Sequence, residues 1–245
     1  MRKIGAVTFD LWDTLIQELP GGPDKVAKLR IDRMAKLLGS RGMPHSADDL
    51  EGAYERTGEF LRLTWSKRRD VPVRDQVLFM LSSMDAKLAS RLGKDDLAEM
   101  EKVYVDGLLD NPPMLLPGAK EALRALKARA FKIGLISNTG RTPGSTLRVL
   151  MGRMGILEYF DATTFSNEIL VRKPAPSAFR FTLEKLRVLP KASVHVGDNP
   201  EADVVGAKKA GMYAIQLLED GSDMCSDADG HVRSLGDVVD MIERL

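Results

Sequence analysis

The run from Ile4 to Phe9 is apolar and partly β-branched, and it stops at Asp10. A short run of this kind suits a strand buried on both faces, as in a parallel sheet. Leu19-Pro20-Gly21-Gly22-Pro23 then punctuates the chain. From about 24 to 110 the pattern turns helical. Val26, Leu29, Arg33 and Leu37 fall on one helical face, and Gly39 to Gly42 ends that run. Ser46, followed by Ala47-Asp48-Asp49, reads as the N-cap of a second helix carrying Leu50, Tyr54, Leu61 and Trp65. Pro72 opens a third helix through Met80 and Met84, and Asp95 or Asp96 starts a fourth that runs to about Leu109.

Asn111-Pro112-Pro113 marks a second boundary, after which the pattern alternates. Helices are predicted at 118–129, 144–154, 176–187, 200–210 and about 236–244. Strands are predicted at Lys132–Ile136, Ala162–Phe165, Ser193–Val196 and Tyr213–Leu217. This alternation predicts an α/β fold: a doubly wound, Rossmann-like parallel sheet with helices on both faces. Because the first strand lies far upstream, the helical stretch is an insertion. The division is an α/β core of 1–16 and 114–245 and an all-helical unit at 17–113. Glu219–Gly230, with Asp220, Asp223, Asp227 and Asp229, reads as a solvated loop, since it lacks the spacing of an EF-hand.

Charge and cysteine content narrow the partners. Lys and Arg number 36 against 35 Asp and Glu, a formal net charge of +1, which argues against nucleic acid or an anionic membrane as the main partner. One cysteine, Cys225, allows no internal disulfide and fits a reducing, cytoplasmic setting. No segment approaches the roughly 20 apolar residues of a membrane helix. Arg2 and Lys3 precede an apolar run in the manner of an export signal. Asp10 breaks that run and no small-residue cleavage site follows, so it is read as a strand.

Ligands of open α/β sheets bind at the carboxyl ends of the strands. The residues just past the predicted strands are Asp10-Leu11-Trp12-Asp13-Thr14, then Ser137-Asn138-Thr139, then Gly197-Asp198 with Asp203 beyond; Lys173 precedes Pro174 in a loop. Aspartates there are costly to desolvate without a partner, and a divalent cation plus a lysine would provide one.

The set Phe9-Asp10-x-x-x-Thr14-Leu15, Ile136-Ser137-Asn138, Arg172-Lys173-Pro174 and Gly197-Asp198-x-x-x-x-Asp203 resembles the haloacid dehalogenase (HAD) superfamily, with its motifs in the family's order. The resemblance implies a HAD core with the inserted helical unit as a small helical cap. It implies Asp10 as a nucleophile forming an aspartyl intermediate, Ser137 bonding the transferring group, and Lys173 offsetting charge. Thr14, Asn138 and Arg172 fall at substrate-binding places. Magnesium is implied at Asp10, the backbone carbonyl of Trp12 and Asp198, with Asp203 in support. The substrate so implied is a small phosphorylated metabolite.

One position departs from the pattern. Family phosphatases carry a second aspartate two residues after the nucleophile, and here Trp12 stands in that place, with Asp13 one residue later. Indole does not shuttle protons, and losing general acid–base help costs on the order of 10²–10⁴ in rate. The family's dehalogenases also lack an acid there, commonly having an aromatic residue. A metal-independent 2-haloacid dehalogenase is therefore the alternative, with a catalytically silent interaction protein as a third class. The acid pair Asp198 and Asp203 favours the magnesium phosphatase. Trp12 reads either as a pocket wall or as core filler, His195 as a packed core histidine, and Lys67-Arg68-Arg69 as a solvated helix end. Arg141, at the rim after Asn138-Thr139-Gly140, reads like that helix end as a solvated residue before it reads as a substrate contact.

Overall fold

The computed structural model describes residues 4–219, 221 and 223–245; Arg2, Lys3 and Asp220, considered above, lie outside the described residues. Strand β1 (Ala6–Phe9) is buried throughout, as its apolar run requires. The chain turns through residues 11–16 into the short β2 (Ile16–Gln17). A helical block follows: α1 (Gly22–Ser40), α2 (Ala47–Trp65), α3 (Val73–Met84), α4 (Leu88–Arg91) and α5 (Lys94–Asp110). The chain returns through β3 (Met114–Leu115), which pairs antiparallel with β2, Ile16 opposite Leu115. This ribbon ties the segment entering the block to the segment leaving it.

The block has its own apolar centre, built on Met34, Leu38, Leu50, Met80, Met100 and Tyr104. Ser46 and Asp49 form a complete capping box at the start of α2, as their spacing predicts. The buried stripe of α1 differs from the expected one. It comprises Val26, Arg30, Ile31, Met34, Leu37 and Leu38, while Arg33 turns out to Asp110. The expected stripe takes in Leu29 and Arg33 and passes over Arg30, whose apolar stem buries readily. The short α4 falls where no helix was predicted.

The rest of the chain runs α6 (Ala119–Ala128), β4 (Lys132–Ser137), α7 (Gly144–Arg153), β5 (Ala162–Phe165), α8 (Ser166–Ile169), α9 (Pro176–Leu186) and β6 (Ser193–Gly197). A π-helical turn at Pro200–Val205 leads into α10 (Gly206–Ala210), then β7 (Tyr213–Leu217), β8 (Gly230–Val232) and α11 (Val238–Arg244). The six-stranded sheet has the order β5-β4-β1-β6-β7-β8, every neighbouring pair parallel. Two expectations are corrected here. The helix predicted over 200–210 is α-helical only in its second half. The polar loop ends in a sixth strand, β8, too short to announce itself; the buried Gln216 anchors the loop by donating to Asp223 O (3.1 Å) and accepting from Cys225 N (2.8 Å).

From β1 the sheet grows one way through β4 and the other way through β6. Crevices at such a reversal lie beyond the carboxyl ends of the strands and receive ligands. No helix among the described residues is long and apolar enough to cross a membrane.

Candidate active site

Three adjacent strands end at this reversal. Asp10 follows β1, Ser137 is the last residue of β4, and Asp198 follows β6. Asp10 N donates to Val196 O (3.0 Å), continuing the β1–β6 pairing to the site. Asp203, from the π-helical turn, folds back so that Asp10, Asp198 and Asp203 each offer an oxygen within 4.8 Å of the others. Gly197 makes room for this: a Cβ there would lie 2.3 Å from Asp203 Cγ.

Lys173 is the hub. Its side chain is 1 % exposed, and Nζ sits 2.8 Å from Asp10 Oδ1 and 2.6 Å from Asp203 Oδ1. Its backbone is clamped by Asn138, whose Oδ1 accepts from Lys173 N (2.8 Å) and whose Nδ2 donates to Lys173 O (3.1 Å). Asp203 is fully engaged. Its Oδ1 also meets His195 Nε2 at 3.1 Å, and its Oδ2 accepts from Asn199 N at 3.0 Å. Thr8 Oγ1 holds the other His195 nitrogen at 2.8 Å. Burial lowers the His195 pKa, so the ring is neutral, donates from Nε2, and serves as a hydrogen-bonded core histidine.

The three carboxylates differ in their surroundings. Burial pushes Asp10 up to about 7; Lys173 pulls it down, and Asp203 and Asp198 push it further up. Burial and Asp203 raise Asp198 to about 6. Burial also raises Asp203, but Lys173 and His195 outweigh it and hold that carboxyl well below the usual range. Burial depresses Lys173, yet Asp10 and Asp203 raise it on balance. One ammonium thus serves Asp203 well and leaves Asp10 and Asp198 short of positive charge. Asp10 Oδ1 has the Lys173 ion-pair contact but no hydrogen bond, and Ser137 Oγ, also buried, has no partner among the described residues.

The remaining predicted residues take varied places. Thr14 is fully buried and donates to Asp198 Oδ1 (3.1 Å), beneath the acid cluster. Trp12 is both wall and filler: it packs on the main core and lines a cleft of about 360 Å³ between the helical block and the sheet edge. Asn138, Arg141 and Arg172 line the same cleft, with Arg30, Tyr54, Trp65, Asp13 and Glu18. Asp13 is exposed at φ 55°, the left-handed region. Lys67, Arg68 and Arg69 are exposed, as a solvated helix end should be. A cleft of about 490 Å³ lies on the core beside Leu116 and Arg233 and meets this one at Asp13.

Sequence reasoning missed Asp70. This carboxylate comes from the helical block, has no exposed side-chain surface, and ion-pairs with Arg172 Nη1 at 2.9 Å. It also accepts from Trp65 Nε1 (3.0 Å), Val71 N (2.8 Å), Thr139 Oγ1 (3.0 Å) and Ser166 Oγ. Arg172 lies over the Trp65 ring at 4.4 Å. Main-chain bonds flank the cluster, from Asp70 N to Leu170 O (3.3 Å) and from Arg172 N to Arg68 O (3.0 Å). A lone acid between Arg69 and Val71 carries no signal of this in sequence.

A parallel sheet with acids at its strand ends, a buried lysine among them and an inserted helical block defines a doubly wound α/β protein with a polar site at the carboxyl ends of its strands. The chain belongs to the haloacid dehalogenase-like hydrolase family, whose model matches residues 4–211. It is 28 % identical over 217 residues to a phosphoglycolate phosphatase of Yersinia pseudotuberculosis, covering 88 % of this chain and 82 % of that one. The fold matches a HAD phosphatase from Thermococcus onnurineus with a TM-score of 0.65 and 26 % identity, over 98 % of both chains. It also matches a 2-haloacid dehalogenase from Pseudomonas syringae pv. Tomato DC3000 with a TM-score of 0.70 and 23 % identity, over 98 % of this chain and 99 % of that one.

Proposed function

We propose that the chain is a magnesium-dependent phosphatase that acts on a small phosphorylated metabolite through an aspartyl-phosphate intermediate, with residues 17–113 as a cap over the site. The observation that carries this reading is the shortage of positive charge around Asp10 and Asp198. The donor set is all oxygen and clustered, with Asp198 half-buried at its edge, which suits Mg²⁺. Asp10, Asp198 and the Trp12 carbonyl would hold the ion. Asp203, whose oxygens are already taken by Lys173, His195 and Asn199, would support them by fixing Lys173. The bound ion would supply charge neutralisation for the phosphoryl group and for Asp10.

The chain's own groups do the rest. Asp10 attacks phosphorus as the ester P–O bond breaks, and water then cleaves the acyl phosphate to return the carboxylate. Lys173 holds Asp10 in line and balances its charge. Ser137, whose buried hydroxyl has no partner among the described residues, donates to a phosphoryl oxygen in this reading. Asn138 fixes Lys173 from behind. The leaving oxygen takes its proton from solvent, since Trp12 has none to give.

Trp12 alone favours the second reading, a metal-independent 2-haloacid dehalogenase. A panel of phosphomonoesters and 2-haloacids, each with and without Mg²⁺, tests both. Phosphate release that needs Mg²⁺ is expected; halide release without metal would replace the first reading with the second.

A further inference from the structure

We infer that Arg30 and Arg141 form an anion subsite in the cleft, which takes a second acidic group of the substrate, carboxylate or phosphate, beyond the phosphoryl group that is transferred; this rests on the phosphatase reading above. Arg30 lies on α1 and is 6 % exposed. Its guanidinium donates to Tyr104 O (2.7 Å), the Tyr54 hydroxyl (3.2 Å) and Thr142 Oγ1 (2.6 Å). Arg141, from the loop after β4, donates to the Tyr104 hydroxyl (2.8 Å) and to Tyr54 O (2.7 Å), and lies 3.7 Å over the Tyr54 ring.

All of these acceptors are neutral. The cleft's third guanidinium, Arg172, is matched by Asp70, whereas Arg30 and Arg141 have no carboxylate at ion-pair distance among the described residues. Two like charges gathered on the same two tyrosines, one of them almost wholly buried, are costly without a counter-charge. Glu18 and Asp13 also line the cleft, and Glu18 feels Arg30, but both are exposed and neither bonds to either guanidinium.

The geometry suits a ligand. A guanidinium has five donors; Arg30 uses three here and Arg141 two, so each keeps N–H groups for an oxyanion. Such a fork binds carboxylate or phosphate through two parallel bonds. Stacking on Tyr54 holds Arg141 in place before a ligand arrives. Both arginines open on the same cleft as Trp12 and Asn138, which are near chain neighbours of Asp10 and Ser137. One molecule can therefore span the acid cluster and the arginine pair.

The test compares three alkylphosphonates by calorimetric titration into the Mg²⁺-loaded protein: propylphosphonate, 3-phosphonopropionate and ethane-1,2-diphosphonate. The wild type should bind one or both charged-tail compounds about ten-fold or more tighter than the neutral one, and whichever is preferred identifies the second acid. Arg141→Met should erase the preference, and Arg141→Lys should restore part of it, with melting temperatures showing that both variants fold. Equal affinities for all three compounds in the wild type would overturn the subsite. A charged-tail preference in a protein that hydrolyses no phosphate ester would keep the subsite and overturn the phosphatase reading.

Discussion

Asp70, carried by the helical block, and Arg172, next to the hub lysine, form a buried ion pair at 2.9 Å that joins the block to the sheet edge. Four further donors converge on the same carboxylate, two of them the hydroxyls of Thr139 and Ser166. Thr139 follows the Asn138 that clamps Lys173, so one acid from the block steadies two of the loops that carry the proposed chemistry. Removing one partner of a buried ion pair typically costs about 3–5 kcal/mol. Asp70→Ala should lose stability in that range in urea denaturation, and a loss below about 1 kcal/mol would contradict the clasp.

The acid cluster sets a pH dependence in the metal-free protein. Asp10, at about 7, and Asp198, at about 6, both lie above their ordinary 3.8. Between about pH 4 and 7 these two groups keep protons when folded that the unfolded chain has released, so their contribution to stability falls as pH rises through this window; buried His195, whose pKa is lowered, works in the opposite direction below its ordinary 6.5. Asp203 is shifted downward, and its contribution is lost only as pH falls below the same 3.8. In EDTA, raising the pH from 5 to 8 should lower the melting temperature of wild type more than that of Asp10→Asn. Parallel pH profiles for the two proteins would refute the assignment to Asp10.

Metal binding should show the opposite pH trend, because a cation must displace those protons. Calorimetric Mg²⁺ affinity is expected to rise from pH 5.5 to 8. Asp198→Ala should abolish the binding, whereas Asp203→Asn, which releases Lys173 rather than a ligand, should weaken it less. Equal Mg²⁺ binding by wild type and Asp198→Ala would remove the site.

Trp12 occupies the place of the family's acid–base residue and is only partly buried, with its ring against both core and cleft. Trp12→Asp should raise the kcat for phosphate esters about ten-fold or more, since a positioned proton donor is worth on the order of 10²–10⁴. Its stability cost should fall below the roughly 3–5 kcal/mol of a fully buried indole. A folded Trp12→Asp protein with unchanged kcat would show that the missing donor does not limit turnover.

How much of this was visible in sequence depends on where each residue sits. Asp10, Ser137 and Asp198 stand out because each ends an apolar strand, and chain order alone places them on one rim. Lys173 and Asp203 were legible through their motifs, Asp203 already in a supporting place, but what holds each Asp203 oxygen was not. It follows from which oxygens Lys173 and His195 already occupy, a matter of packing. Arg30 and Asp70 were hidden because a buried charge in a helix-rich, evenly charged stretch looks like any surface charge. Strand β8 was hidden because three residues beside a polar loop carry no period.

Asp10 is proposed as the nucleophile of a metal-assisted phosphate hydrolysis. The most direct test of that role is phosphate release from the best ester of the panel by wild type and Asp10→Asn, each with Mg²⁺ and with EDTA. Release is expected from wild type only with Mg²⁺, and none above background from the folded variant. Wild-type turnover by Asp10→Asn would contradict that role.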